Sequence, residues 1–318
     1  MKMHRIAMAV LALSGAAALA QDYPAKPITF VVPFAPGSAT DQLARSLGQS
    51  ITDATKQAVV VDDKAGASGF IATQFVAKAP ADGYTVLITT NTTHAANEHL
   101  YKSLPYDPVK DFEPVTLLGK GGQIMIVNLK VPAKSVAEFI ALAKKEPGKL
   151  SFGGGSSSSR IAGELFQQMT GVQLLFVPYK SNPLAVTDLL GGQIDMMITD
   201  NATGLPQVKG GKVRALGMSS LKRSPLAPDV PTIDEAGVKG YEMSYWFAAY
   251  VPAKTPAPVV KKLHDLLLAA TKGAAAKAFY ETTGTEVATS SPAELAKFQA
   301  DESQKWGRII KAANIQPE

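Results

Sequence analysis

Short apolar runs alternate along this chain with longer stretches in which apolar residues return every three or four positions. The runs beginning at Ile28, from Ala58 to Asp62 and from Thr85 to Thr89 predict buried strands, whereas Phe70 to Lys78 and Val136 to Lys145 carry helical spacing. The pattern then repeats. Lys149 to Met169 (KLSFGGGSSSSRIAGELFQQM) predicts strand, loop and helix; Leu174 to Pro178 predicts a strand that continues through Tyr179, Lys180 and Ser181 into a helix near Leu184 to Leu190. A further strand, Ile194 to Thr199, stops at Asp200 and Asn201. Such alternation implies an α/β fold with a mainly parallel sheet and helices on both faces. Ligands in these folds sit beyond the carboxyl ends of the strands.

Two of the strand-to-helix turns carry candidate chemistry. In ITFVVPFAPGSATDQLAR, Ile28 to Arg45, an apolar strand breaks at a Pro- and Gly-containing turn and enters a helix. A helix start presents free backbone N–H groups, and its dipole favours negative charge. The stretch fits an anion site or an ordinary βα turn. The second turn is Gly153-Gly154-Gly155 followed by Ser156 to Ser159. Its glycines allow close backbone approach and its hydroxyls supply donors directly before a helix. The Lys-Ser/Thr of a phosphate-binding P-loop is missing. A Gly/Ser linker is the other reading, but the place between a strand and a helix favours an anion-binding loop.

Composition narrows the classes. Lys2, His4 and Arg5 precede the apolar run Ile6 to Leu13, and Ala18-Leu19-Ala20 follows, as in a cleavable secretory signal covering residues 1–20. The apolar stretch is shorter than the roughly 20 residues that span a bilayer. With no cysteine in the sequence there is neither a lipid-anchoring residue nor a disulfide. A soluble, exported chain is expected, with 46% hydrophobic and 19% charged residues supporting a sizeable core and two lobes. Losing Lys2 and Arg5 lowers Lys+Arg from 32 to 30 against 27 Asp+Glu, so the net charge falls from +5 to +3. That charge is too weak and dispersed for nucleic acid. His4, His94, His99 and His264 form no His-Glu-x-x-His pattern, and no Gly-x-Ser-x-Gly elbow occurs. No catalytic residue, metal site or cofactor is expected. Asp41, Asp195 and Asp200 suit helix caps or loop braces.

Several longer motifs occur together: YPAKPITFVVPFAPGSATDQLAR, PADGYTVLITT, LPYDPVKDFEPVTLL, VPYKSNPLAVTDLLGGQIDMM and RSPLAPDVPTIDEAG. In this order and over nearly the whole mature chain, the sequence resembles the Bug, or TctC-like, extracytoplasmic receptors of tripartite tricarboxylate transporters. The resemblance implies a two-lobed type II periplasmic binding-protein fold with a ligand cleft between the lobes. It implies a first lobe of residues 21–122 and 247–318 and a second of 123–246. The crossings would fall near Gly119 to Gln123 and Glu242 to Trp246, with Gly121-Gly122 a flexible point. A monomer in the periplasm would close on a small carboxylate and present it to membrane subunits of the transporter.

By the same resemblance, the first-lobe loop, with Phe34, Pro36, Gly37, Ser38, Ala39, Thr40 and Asp41, holds a carboxylate. Gly154, Gly155, Ser156, Ser157, Ser158 and Arg160 close from the second lobe, with Tyr179, Asn182, Asp200 and Asn201 nearby. The chain departs from the family at Gly37-Ser38, Ser68, Ser181-Asn182 and Arg160. Ser38 and Asn182 are therefore expected to tune specificity, and Arg160 either pairs a second carboxylate or lies solvated on its helix. Phe34, Phe152 and Tyr179 either stack on a planar ligand or belong to the core. An aliphatic dicarboxylate ranks first as ligand, an aromatic carboxylate second and an amino acid third. A sensor for a membrane signalling partner and a periplasmic enzyme are the competing classes.

Overall fold

The computed structural model describes residues 23–318; the export signal expected at residues 1–20 lies outside them. The strands among the described residues are β1 (Ile28–Val32), β2 (Val59–Asp63), β3 (Thr85–Thr90), β4 (Phe112–Asn128), β5 (Ser151–Gly154), β6 (Leu175–Pro178), β7 (Met196–Asp200), β8 (Val213–Met218) and β9 (Ser244–Pro252). They build two sheets, one per lobe. The first runs β2-β1-β3-β9-β4, the second β8-β4-β7-β5-β6. The expectation of a mainly parallel arrangement is refined by one antiparallel strand in each: β9 in the first sheet and β4 in the second.

β4 belongs to both sheets. Its 17 residues pair with β9 from Phe112 to Gly122, then exchange that partner for β7 and β8 from Gln123 to Asn128. Register shifts between Pro114 and Thr116 and between Leu117 and Gly119 absorb residues that would otherwise weaken a strand. β9 returns the chain to the centre of the first sheet, between β3 and β4.

Ten α-helices cover the sheets among the described residues: α1 (Ala39–Thr55), α2 (Phe70–Ala77), α3 (Asn97–Leu100), α4 (Val136–Lys145), α5 (Ser157–Thr170), α6 (Asn182–Gly191), α7 (Asn201–Lys209), α8 (Ala257–Ala270), α9 (Ala274–Thr283) and α10 (Pro292–Ala312). Their limits follow from cap chemistry. Ser38, Ser135, Ser156, Asp200 and Ser291 each accept a first-turn N–H on their side chains, and α10 adds a reciprocal Glu294 bond that completes a capping box. α1 buries Leu43, Leu47 and Ile51, four residues apart, against Ile28 and Phe30 of β1 and Leu263 and Leu267 of α8.

A second core continues from one lobe into the other. Val31 and Leu87 of the first sheet share it with Met125, Phe152 and Ile198 of the second, joined by Trp246, Tyr250 and, from α10, Leu295 and Trp306. The Trp246 and Trp306 indole N–H groups both donate to Glu302, at 3.1 and 3.2 Å, and the Tyr250 hydroxyl donates to Gln299 at 3.0 Å. These bonds fasten α10 along β9. No helix among the described residues is long and apolar enough to cross a membrane.

Candidate functional site

The carboxyl ends of β1, β5, β6 and β7 each lead into a helix start, and these starts face one another across the two lobes. After β1 the chain turns at Gly37, whose φ of +80° suits glycine, and Ser38 caps α1 by accepting the Asp41 N–H at 3.3 Å. Asp41 is occupied by its own loop. One carboxylate oxygen accepts the Gly37 N–H at 2.8 Å and the other lies 2.7 Å from Arg45 Nε, while Arg45 also reaches Asp63 at 2.9 Å. The N–H groups of Ala39 and Thr40 have no acceptor among the described residues. Both residues line the space between the lobes.

In the second lobe Asn182 holds three turns together. Its Oδ1 accepts the Gly155 N–H at 2.9 Å and the Ser159 hydroxyl at 3.2 Å, while its Nδ2 donates to Asp200 Oδ2 at 3.0 Å. The other Asp200 oxygen caps α7 by accepting the Thr203 N–H at 2.8 Å. Gly155 has no space for a side chain, because a Cβ there would overlap the backbone of Ser181 and Asn182. Its hydrogen, not its flexibility, makes this approach of two turns possible.

A cavity lies between these ends. Phe34, Ser38, Ala39, Thr40 and Thr90 line it from the first lobe, Ser156, Ser158, Ser181, Asn182 and Asp200 from the second, and Tyr245 and Phe247 from β9. No Lys, Arg or His is among them. Positive potential in the cavity therefore comes from helix starts and their unpaired N–H groups. Ser181 Oγ in this lining is buried without a partner among the described residues, as are both amide atoms of Asn91 next to Thr90, Asn201 Oδ1 next to Asp200 and Gln123 Oε1, whose residue pairs with Asp200 across β4 and β7. Each such group costs about 1–3 kcal/mol when left dry. A site that accumulates them is built to receive a polar guest.

The expected residues divide into three groups. Phe34, Ser38, Ala39, Thr40, Ser156, Ser158, Asn182 and Asp200 meet at the cavity. Gly154, Gly155, Ser157, Arg160 and Tyr179 line a neighbouring cavity, with Ser156 common to both. Pro36 and Gly37 are exposed on the first loop, Asp41 braces it, and Asn201 begins α7. Phe152 is fully buried against Phe176, at 5.0 Å between ring centres, and the Tyr179 hydroxyl is engaged by Asp188 at 2.7 Å. Burial and the Asp188 carboxylate raise the Tyr179 pKa to about 12. Thr90, Ser181, Tyr245 and Phe247 also line the site, although only their positions at a strand end, a helix cap or alternate places on β9 signal it.

Two α/β lobes that bring helix starts to a buried interlobe cavity define a solute-binding protein. The chain belongs to the tripartite tricarboxylate transporter family receptors (TctC), which it matches over residues 43–315. It is 35% identical to Protein BugT of Bordetella pertussis over 92% of this chain and 90% of that protein. The structure of R. palustris Rpa4515 with adipate aligns over 93% of this chain and all of that one, with 35% identity and a TM-score of 0.90. MatC from Rhodopseudomonas palustris with bound malate aligns over 91% of this chain and all of that one, with 29% identity and a TM-score of 0.86.

Proposed function

We propose that this chain is a periplasmic receptor that captures a small aliphatic dicarboxylate and delivers it to the membrane subunits of a tripartite tricarboxylate transporter. It acts as a monomer and does no chemistry on its ligand. The observation that carries this reading is the cavity itself: unpaired helix-start N–H groups, hydroxyls and amides converge there, without a basic side chain or an activated nucleophile. Such a lining holds a carboxylate by hydrogen bonds and releases it unchanged. The adipate of Rpa4515 and the malate of MatC, both dicarboxylates in relatives of the same fold, support the ligand class. Three aromatic rings in the lining, Phe34, Tyr245 and Phe247, favour an aromatic carboxylate as the second reading.

In this reading residues 21–122 and 247–318 form one closing body and residues 123–246 the other, hinged at Gly121-Gly122 on β4 and on the stretch leading into β9. The Ser157 hydroxyl, which donates to Asn97 Oδ1 at 2.8 Å across the lobes, is a contact of the closed form. The first test is calorimetry with adipate, malate and benzoate on the wild type and on Ala39→Pro. Proline is tolerated at the first helical position, and Ser38, with φ −66° and ψ 157°, already has the backbone that precedes a proline. The substitution removes one cavity-facing N–H. A hydrogen bond to a charged group is worth about 1.5–3 kcal/mol, so the dissociation constant should rise roughly 10- to 150-fold with an unchanged ligand-free Tm. Equal affinity in both proteins would place the ligand away from α1.

A further inference from the structure

Beside the cavity just described lies a second one of about 190 Å³, and Ser156 belongs to the lining of both. They meet at the first turn of α5. Ser156 and Ser158 face the first cavity, while Ser157 and Arg160, three residues apart on the helix, face the second. Leu100, Tyr101, Phe176, Pro178 and Tyr179 contribute apolar and aromatic wall, and Arg160 is the one basic residue in the lining.

Arg160 is already holding a carboxylate. Its Nη2 lies 2.7 Å from Glu318 Oε1, the guanidinium sits 5.3 Å from the centre of the Phe176 ring, and Nε is buried without a partner. Glu318 reaches it from the other lobe. The Glu318 N–H donates to the Leu100 carbonyl at 2.9 Å and the Lys102 N–H donates to a backbone oxygen of Glu318 at 2.9 Å, so residues after α10 are bound to the first lobe by their backbone. The two partners are unequally placed: the Arg160 side chain is 17% exposed, that of Glu318 58%. A cation that is mostly covered and incompletely hydrogen-bonded faces an acid that returns to water at little cost.

We infer that this second cavity is the subsite for the far carboxylate of an elongated α,ω-dicarboxylate, and that Glu318 is an internal competitor which the ligand displaces from Arg160. The inference rests on the carboxylate-receptor reading and adds chain length to it. The near carboxylate sits on the helix starts of the first cavity, the methylenes pass Ser156 and cover the aromatic wall, and the far carboxylate takes both the Nη2 and the unpartnered Nε of Arg160. Bidentate pairing of this kind is the arrangement a guanidinium favours over the single contact it makes with Glu318.

The test is calorimetry with suberate, adipate and hexanoate, the last matching adipate in length with one carboxylate removed, on the wild type, Glu318→Gln, Arg160→Gln and the double variant. Glu318→Gln should tighten suberate and adipate by about three- to tenfold and leave hexanoate within twofold. Arg160→Gln should weaken both dicarboxylates at least tenfold, toward hexanoate, and the double variant should show no benefit from Glu318→Gln. Hexanoate binding in each variant reports an intact first cavity. If Glu318→Gln shifts all three ligands alike, the pair is only a tie between lobes and the subsite is wrong; an adipate-to-hexanoate ratio unchanged by Arg160→Gln also overturns it. Failure of all three ligands to bind the wild type would remove the carboxylate reading itself, and the subsite with it.

Discussion

At the scale of single residues, burial decides which polar groups give the fold a pH dependence. His94, fully buried after β3, stacks on Tyr250 at 3.9 Å between ring centres, and its Nδ1 lies 2.8 Å from Thr93 Oγ1 while Nε2 is unpartnered among the described residues. Burial pushes its pKa from 6.5 down to about 3. A base depressed in the folded state contributes stability that is complete above pH 6.5 and lost as the pH falls toward 3, by at most about 1.4 kcal/mol per pH unit. Asp63 acts in the opposite sense. Burial first and the Asp41 charge second raise it from 3.8 to about 6, so its cost is full above pH 6 and relieved as the pH falls to 3.8. His94→Phe keeps a ring against Tyr250, and Thr93 keeps its other partner, Thr89, at 2.7 Å. The Tm of this variant should fall less than that of the wild type between pH 7 and pH 5; parallel falls would clear His94 of the acid sensitivity.

At the scale of elements, the site depends on turns that touch, and glycine serves two different purposes in them. Gly37 supplies a positive φ with open space around it, whereas Gly155 supplies room where two turns of the second lobe meet. Gly155→Ala must part that backbone and break the Gly155 N–H to Asn182 bond. We expect it to weaken carboxylate binding at least tenfold and to cost roughly 1–3 kcal/mol in denaturant unfolding; unchanged affinity would remove this loop from the site. Much of this architecture is legible in the sequence. The βα turns at Ser38 and Ser156 advertise their caps through hydroxyls placed before periodic helices, and α4 was delimited to the residue. β4 was not, because Pro114, Gly119, Gly121 and Gly122 interrupt its pattern and are tolerated only through register shifts. Thr90, Tyr245 and Phe247 are not legible for another reason: they come from elements far apart in the chain, and only the folded sheet brings them to one cavity. The same limit applied to Arg160, whose choice between solvent and a carboxylate turned on Glu318, 158 residues away.

For the whole molecule, the shared core and α10 mean that the lobes are not separable parts. Val31 of the first sheet and Phe152 of the second lie in one apolar cluster. The placement of β9 also bears on the order of assembly. It occupies the middle of the first sheet, yet its partners precede it by long intervals, Leu87 pairing with Tyr250 and Phe112 with Pro252. Every strand of the second sheet, by contrast, is present once the chain has reached Met218. Closing the longer loop carries the larger entropy cost and rewards it last. Pulse-labelled hydrogen exchange during refolding should therefore protect the amides of β5, β7 and β8 before those of β3 and β9, and simultaneous protection would refute this order. A chain that folds in this order would hold a finished second sheet beside an incomplete first one, leaving one wall of the cavity unbuilt until β9 takes its place.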